Sequence, residues 1–293
     1  MTFSTSVEAT DPFTLFAIGR GPDGADPEMT QRLGARLTDH RGVIEVPALT
    51  VLFDDIGGLP FFFADTGASS MQSRLSMSML HRPAVDEVLS ARADLRMMDP
   101  AYGTTSVTIT GERGRTLCVG TARNVRVGRA VTDGDLEIPL PEAVDGGLVL
   151  PRPDSSLSGG EVVTGIMRGE LPIGPIAEAL GASIVRVDDS LSMTYATAPW
   201  MANIMGTMHG GVIAAMLAQS CSLAAQQQVR AGGDYQVIDF TCEFLRSPAV
   251  DGRSVRVEAA PVKLGRRLSI VDARMYDGDQ LLGRATADAR FDL

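Results

Sequence analysis

The chain is short of the features that mark several protein classes. Cysteine is scarce, 3 in 293 residues, and Cys118, Cys221 and Cys242 fall at no spacing suited to a disulfide framework or a metal site. They are expected as reduced, buried thiols. No cluster of His, Cys and carboxylates has ligand spacing, so neither a metal nor a cofactor is expected. Basic residues are outnumbered, 26 Lys and Arg against 36 Asp and Glu, and a net charge of −10 leaves no basic face for a nucleic acid. Aromatic residues are few, 5% of the chain with a single Trp, which neither supports nor excludes an aromatic ligand. Met1 to Asp11 hold no basic stretch followed by an apolar run, so no secretory leader is expected and the cytoplasm is the expected compartment. The apolar run Val212 to Ala225 contains Gln219 and is too short to span a bilayer, so no membrane partner is expected.

What is present is a globular composition, 44% apolar and 21% charged, long enough for two ordinary domains. Pro139, Pro141, Pro151 and Pro153, with the Ser/Gly-rich stretch up to Gly160, read as a connector over 135–160 between a first unit, 1–134, and a second, 161–293. Each half runs in the same order, an apolar small-residue helix followed by strand-like segments. In the second half the strands are expected at Ile184–Tyr195, Tyr235–Leu245, Ser254–Leu264, Leu268–Tyr276 and Gln280–Phe291. In the first they are expected at Met71–Leu80, Val88–Met98, Thr104–Gly111 and Thr116–Val127. The halves are also related in sequence: Met79–Asp86 (MLHRPAVD) lines up with Phe244–Asp251 (FLRSPAVD), and the same register, with one residue of slip, lays Gly42–Leu59 over Gly206–Leu223. An internal repeat of this length implies one duplicated α+β unit. The Met-rich strands (Met71, Met77, Met79, Met97, Met98) are expected in the core, with an adaptable acyl-tunnel wall as the lesser reading.

The chemistry is concentrated around Asn203-x5-His209-Gly210-Gly211, which opens a small-residue helix running to about Gln228. The first turn of a helix presents unpaired N–H groups and the positive end of its dipole. Two glycines there let a ligand oxygen approach the backbone, as an oxyanion hole requires. This motif, the lead-in Gly169–Gly181 and the Gly265–Ser269 hairpin resemble the phenylacetate-type (PaaI-like) acyl-CoA thioesterases of the hotdog superfamily. The resemblance is good over Gly165–Leu293 and rests on the repeat over the first half. It implies two tandem hotdog units, each an antiparallel sheet wrapped around a central helix, packed as a pseudo-dimer, with further self-association into a homo-oligomer.

In that family a carboxylate stands nine residues after the motif histidine. Here the position holds Ala218, followed by Gln219. The first unit shows the reverse: Glu45 stands where His209 does, Val46-Pro47 replaces the glycines, and nine residues on come Asp54 and then Asp55. A proline offers no N–H, so this helix start is a poor oxyanion hole, while two carboxylates in an apolar helix are costly unless paired, solvated or used. Hotdog active sites lie between units, so the resemblance implies one composite site. There the Gly211 N–H (with Gly210) polarises the thioester carbonyl, and Asp54 acts as base or nucleophile. Asp55 is the alternative acid if the register slips by one residue.

Asn203 is expected to hold the thioester or the lytic water, or to satisfy its own loop. His209 is expected to shape the turn, and Arg266 and Arg267 to reach the CoA phosphates or to lie solvated on their hairpin. Gln219 is assigned to the second, degenerate pocket. Hydrolysis of an acyl-CoA is the leading expectation. A non-catalytic acyl-CoA-binding protein is the alternative, and an enoyl-CoA hydratase the lesser one, since neither His40, His81 nor His209 has the Asp spacing that activity resembles.

Overall fold

The computed structural model describes residues 9–20, 28–65, 69–128, 138–140, 152–187 and 190–292. Most of the connector read at 135–160 lies outside these residues. The elements are α1 (Pro12–Phe16), β1 (Ile18–Arg20), β2 (Glu28–Arg32), a 3-10 turn (Val46–Leu49) running into α2 (Thr50–Ala64), β3 (Ser69–Met79), β4 (Val88–Met98), β5 (Tyr102–Thr110) and β6 (Thr116–Val127). There follow α3 (Gly159–Met167), α4 (Pro175–Ala179), β7 (Ala182–Val187), β8 (Leu191–Ala196), α5 (Gly210–Gln226), β9 (Asp234–Phe244), β10 (Ser254–Lys263), β11 (Leu268–Asp277) and β12 (Gln280–Asp292).

All the strands lie in one antiparallel sheet of order β1-β2-β4-β5-β6-β3-β9-β12-β11-β10-β8-β7. From the central β3–β9 pair the order unfolds alike to both sides. The pair is held in register from Arg74 opposite Glu243 to Ser78 opposite Asp239. Alternation of side chains puts every second residue on the inner face, as β5 and β11 show in their regular exchange of buried and part-exposed positions. The inner face wraps α2 and α5, which also pack on each other.

α5 is buried from Gly211 to Gln226 on all sides, as a helix of Ala, Met, Leu, Val and Ser must be when a sheet curls around it. α2 is buried at Val51, Leu52, Phe53, Ile56 and Phe61. Val46–Ala64, of mean hydropathy 1.4, is long and apolar enough by length and composition to cross a membrane, which corrects the view that Val212–Ala225 is the run to weigh. Here 67% of it is buried within the fold, as in a core helix. Pro60 inside α2 has no N–H for the Ile56 carbonyl. One turn away, the Gly57 carbonyl accepts hydrogen bonds from Thr105 Oγ1 at 2.6 Å and Asn124 Nδ2 at 3.2 Å.

Two expectations need correction. Ile184–Tyr195 is two strands, β7 and β8, paired with each other. Met77 and Met79 are core, but Met97 and Met98 are 68% and 48% exposed at the β4–β5 tip. Cys118, Cys221 and Cys242 are free and buried.

Candidate functional site

The start of α5 is built by a tight turn. Asn203 Oδ1 accepts hydrogen bonds from the N–H groups of Met205 (2.9 Å) and Thr207 (3.2 Å), and Gly206 takes a positive φ of 75°. Asn203 therefore spends its carbonyl oxygen on its own loop, the second of its two expected roles. His209 follows as the N-cap of α5, its backbone N–H tied to Met201 O at 2.8 Å and its Nδ1 accepting from the Gly211 N–H at 3.0 Å.

Against this helix start lies α2. A Cβ on Gly211 would stand 2.5 Å from Val51 Cα, so only glycine lets the two helices approach here. That contact brings Asp54 onto the end of α5: the Gly211 N–H donates to Asp54 Oδ2 at 2.6 Å. His209 Nδ1 is 3.3 Å from the same oxygen, and His209 Nε2 is 3.2 Å from Asp55 Oδ1. Phe13 of α1 sets its ring edge on the imidazole, 6.2 Å between centroids. Asp54 Oδ1 has no hydrogen-bond partner among the described residues. Asp54, Asp55, His209, Gly210 and Gly211, from both ends of the sequence, are thus in one place.

The electrostatics follow from burial. Asp54 is 3% exposed, and desolvation pushes its pKa up to about 7, helped by the neighbouring Asp55 charge and opposed by His209 and the Gly211 N–H. Burial alone would lower the His209 pKa, but Asp55 first and then Asp54 more than offset it and raise it to about 9. Asp55 is the outward member of the pair, with its side chain 20% exposed.

The geometry distinguishes the two glycines of the motif. The Gly211 N–H, expected to face a substrate carbonyl, donates here to Asp54. The group that remains is the N–H of Gly210, the first residue inside α5. A helix leaves that N–H without an intrahelical partner, and no described residue accepts it. Gly210 itself packs against the carboxylate: a Cβ there would meet Asp54 Oδ2 at 2.7 Å. Sequence spacing could not separate the two glycines.

The remaining candidates lie elsewhere. Arg266 and Arg267 are exposed in the β10–β11 turn and form no ion pair or hydrogen bond with Asp54, Asp55 or His209. Gln219 is buried in mid-α5, with both amide atoms lacking a partner among the described residues. Glu45, which the repeat sets opposite His209, is the N-cap of the 3-10 turn before α2. It is buried in a cluster that sequence reasoning missed. Arg41 Nη2 lies 3.0 Å and the Arg82 guanidinium 2.7 Å from Glu45 Oε1, both arginines reach Asp234 at 2.7 Å, and Arg41 also pairs with Asp39. The Arg41 guanidinium lies 3.7 Å above the Tyr235 ring. No group of three or more metal-ligating side chains occurs among the described residues.

Comparison with solved structures places this arrangement in a known architecture. A conserved protein of unknown function with hot dog fold from Alicyclobacillus acidocaldarius superposes with a TM-score of 0.64 at 12% identity, over 94% of this chain and 96% of that one. The chain has a hot dog fold. The tesB protein of Mycobacterium avium subs paratuberculosis is similar over 94% of this chain and 96% of its own (TM-score 0.63, 10% identity). A putative oleoyl thioesterase from Lactobacillus plantarum is similar over 90% and 95% (TM-score 0.57, 14% identity). Residues 205–284 match the Thioesterase superfamily, and this stretch holds the His209-Gly-Gly turn and α5. No curated protein matches the sequence.

Proposed function

We propose that the protein hydrolyses an acyl-CoA thioester at a single composite site between two hot dog units fused as a pseudo-dimer. The observation that carries this reading is the Asp54 carboxylate of one half seated 2.6 Å from the Gly211 N–H at the helix start of the other. The Gly210 N–H, at the positive end of the α5 dipole, donates to the thioester carbonyl oxygen and polarises it. Asp54 Oδ1, the oxygen left unpaired, takes a proton from water as the water oxygen bonds to the carbonyl carbon. The C–S bond then breaks, and the CoA thiolate leaves as the thiol with that proton. Direct attack by Asp54 Oδ1, giving a mixed anhydride that water opens, uses the same oxygen. Binding without turnover is the rival outcome, in keeping with a Gly211 N–H already taken at rest.

The test is thiol release from short, medium, long and aromatic acyl-CoAs, with Asp54→Asn beside the wild type. Loss of about a hundredfold or more in kcat for Asp54→Asn is expected. Undiminished turnover in that variant overturns the composite site. Tight CoA-ester binding with no turnover by the wild type leaves a binding protein.

A further inference from the structure

We propose that Asp55 is a positioning residue that keeps His209 charged, so that His209 in turn keeps the buried Asp54 ionised at the start of α5. This deepens the hydrolytic reading and rests on it for its bearing on catalysis. The argument begins with what each atom can do. An ionised carboxylate only accepts hydrogen bonds, so the contact of 3.2 Å between His209 Nε2 and Asp55 Oδ1 requires the proton on Nε2. The position left to titrate is Nδ1, and it faces both the Gly211 N–H at 3.0 Å and Asp54 Oδ2 at 3.3 Å. These neighbours make opposite demands. A bare Nδ1 suits the Gly211 N–H but sets its lone pair against a carboxylate oxygen. A protonated Nδ1 donates to Asp54 Oδ2, which then accepts from both Gly211 and His209, leaving Oδ1 as the free basic oxygen.

Which state prevails depends on the charge at the far side of the ring. Burial disfavours the imidazolium, and Asp55 is the first influence that opposes it. Few other charges face the three groups. Cys242 on β9 is the titratable side chain that feels Asp54 from the sheet, and burial and the Asp54 charge hold its thiol neutral. Arg20 on β1 is the cation whose field is coupled to Asp55. Phe13 on α1 offers His209 only a ring edge. Asp55 therefore acts on Asp54 in two opposed ways: directly, as a like charge that favours protonation, and through His209, as the partner that keeps a cation against Asp54 Oδ2. The second is the stronger, because the ring stands in contact with both carboxylates, 3.2 Å from Asp55 Oδ1 and 3.3 Å from Asp54 Oδ2, and His209 outweighs Asp55 in its effect on Asp54.

Asp55→Asn separates the two effects, because an amide oxygen still accepts from Nε2 while the charge is gone. Two readouts follow. In the kcat/KM profile on the best acyl-CoA, the acidic limb is expected to move up by about one pH unit or more, with activity near neutrality falling roughly tenfold and recovering at alkaline pH. Asp55→Glu is expected to return the limb toward the wild-type position. In the substrate-free protein, NMR titration of the ring is tractable because the chain has 3 histidines, and His209→Gln identifies the signal. His209 is expected to titrate above the ordinary histidine range in the wild type and below its wild-type value in Asp55→Asn.

A limb that moves down, or activity lowered equally at every pH, overturns the proposal, as does a His209 titration that Asp55→Asn leaves unmoved. A wild type that hydrolyses no acyl-CoA but shows the His209 shift retains the charge coupling and overturns the hydrolytic reading instead.

Discussion

Asp54 and Asp55 are neighbours in sequence under opposite conditions, and the site depends on that difference. Asp54 points inward to a helix N-terminus, and Asp55 points to the outer nitrogen of His209. The nine-residue spacing from Glu45 made Asp54 the candidate acid from sequence. Nothing in the sequence could say that its carboxylate would occupy the Gly211 N–H, because that depends on how closely two distant helices approach. The two glycines should respond differently to alanine. In Gly211→Ala the new Cβ stands 2.5 Å from Val51 Cα, and backbone has no cheap way to move. A stability loss of about 1–3 kcal/mol is expected by chemical denaturation. In Gly210→Ala the new Cβ meets the Asp54 carboxylate at 2.7 Å, which a side chain evades by turning, so kcat should fall with a smaller change in stability. Equal stability losses in both would contradict the helix–helix contact.

At the level of elements, periodicity made most strands legible: Val88–Met98 and Thr116–Val127 are strands over those same residues. The period of two does not register where a strand pair turns back, which is why β7 and β8 read as one segment. Nor does it tell a core methionine from an exposed one at a hairpin tip, as with Met97 and Met98. β1 and β2, of 3 and 5 residues, are too short for a periodic signal. α5 carries an oddity that only packing exposes, the Gln219 amide buried with no partner among the described residues. Such a group costs stability, so Gln219→Leu, close in volume, should stabilise by about 1 kcal/mol. That corresponds to a Tm higher by roughly 2–4 °C, with thiol release unchanged. A weaker CoA-ester affinity in that variant would instead return Gln219 to the substrate.

Over the whole molecule, the order of the halves was readable from the repeat, but the continuity of the sheet through β3 and β9 was not, since pairing between distant edges leaves no mark in either strand. The Arg41–Glu45–Arg82–Asp234 cluster was equally hidden. Its members are scattered from residue 41 to residue 234 and look like ordinary surface charges one at a time. It joins the two halves where the repeat predicts the counterpart of the site. Burial raises the Glu45 pKa, and Arg41 and Arg82 oppose that. Arg41→Met leaves the buried Asp39 without its cation and Glu45 with Arg82 alone, and a loss of about 3–5 kcal/mol is expected in urea unfolding. Thiol release by the folded fraction should persist. A loss below about 1 kcal/mol would mean that the cluster is screened by solvent like a surface pair.

The two N-caps, Glu45 before α2 and His209 at α5, have a consequence for how such a protein can change. In an assembly of identical chains, every substitution is made twice, once at each copy of a position. A residue useful at one and harmful at the other is then refused. When both positions are written separately into one chain, a substitution falls on one of them alone. Histidine can then be kept where a proton is to be held, and glutamate admitted where two arginines need a partner. A difference of this kind between two N-caps is open to any chain that carries both of them and closed to one that must meet its own copy.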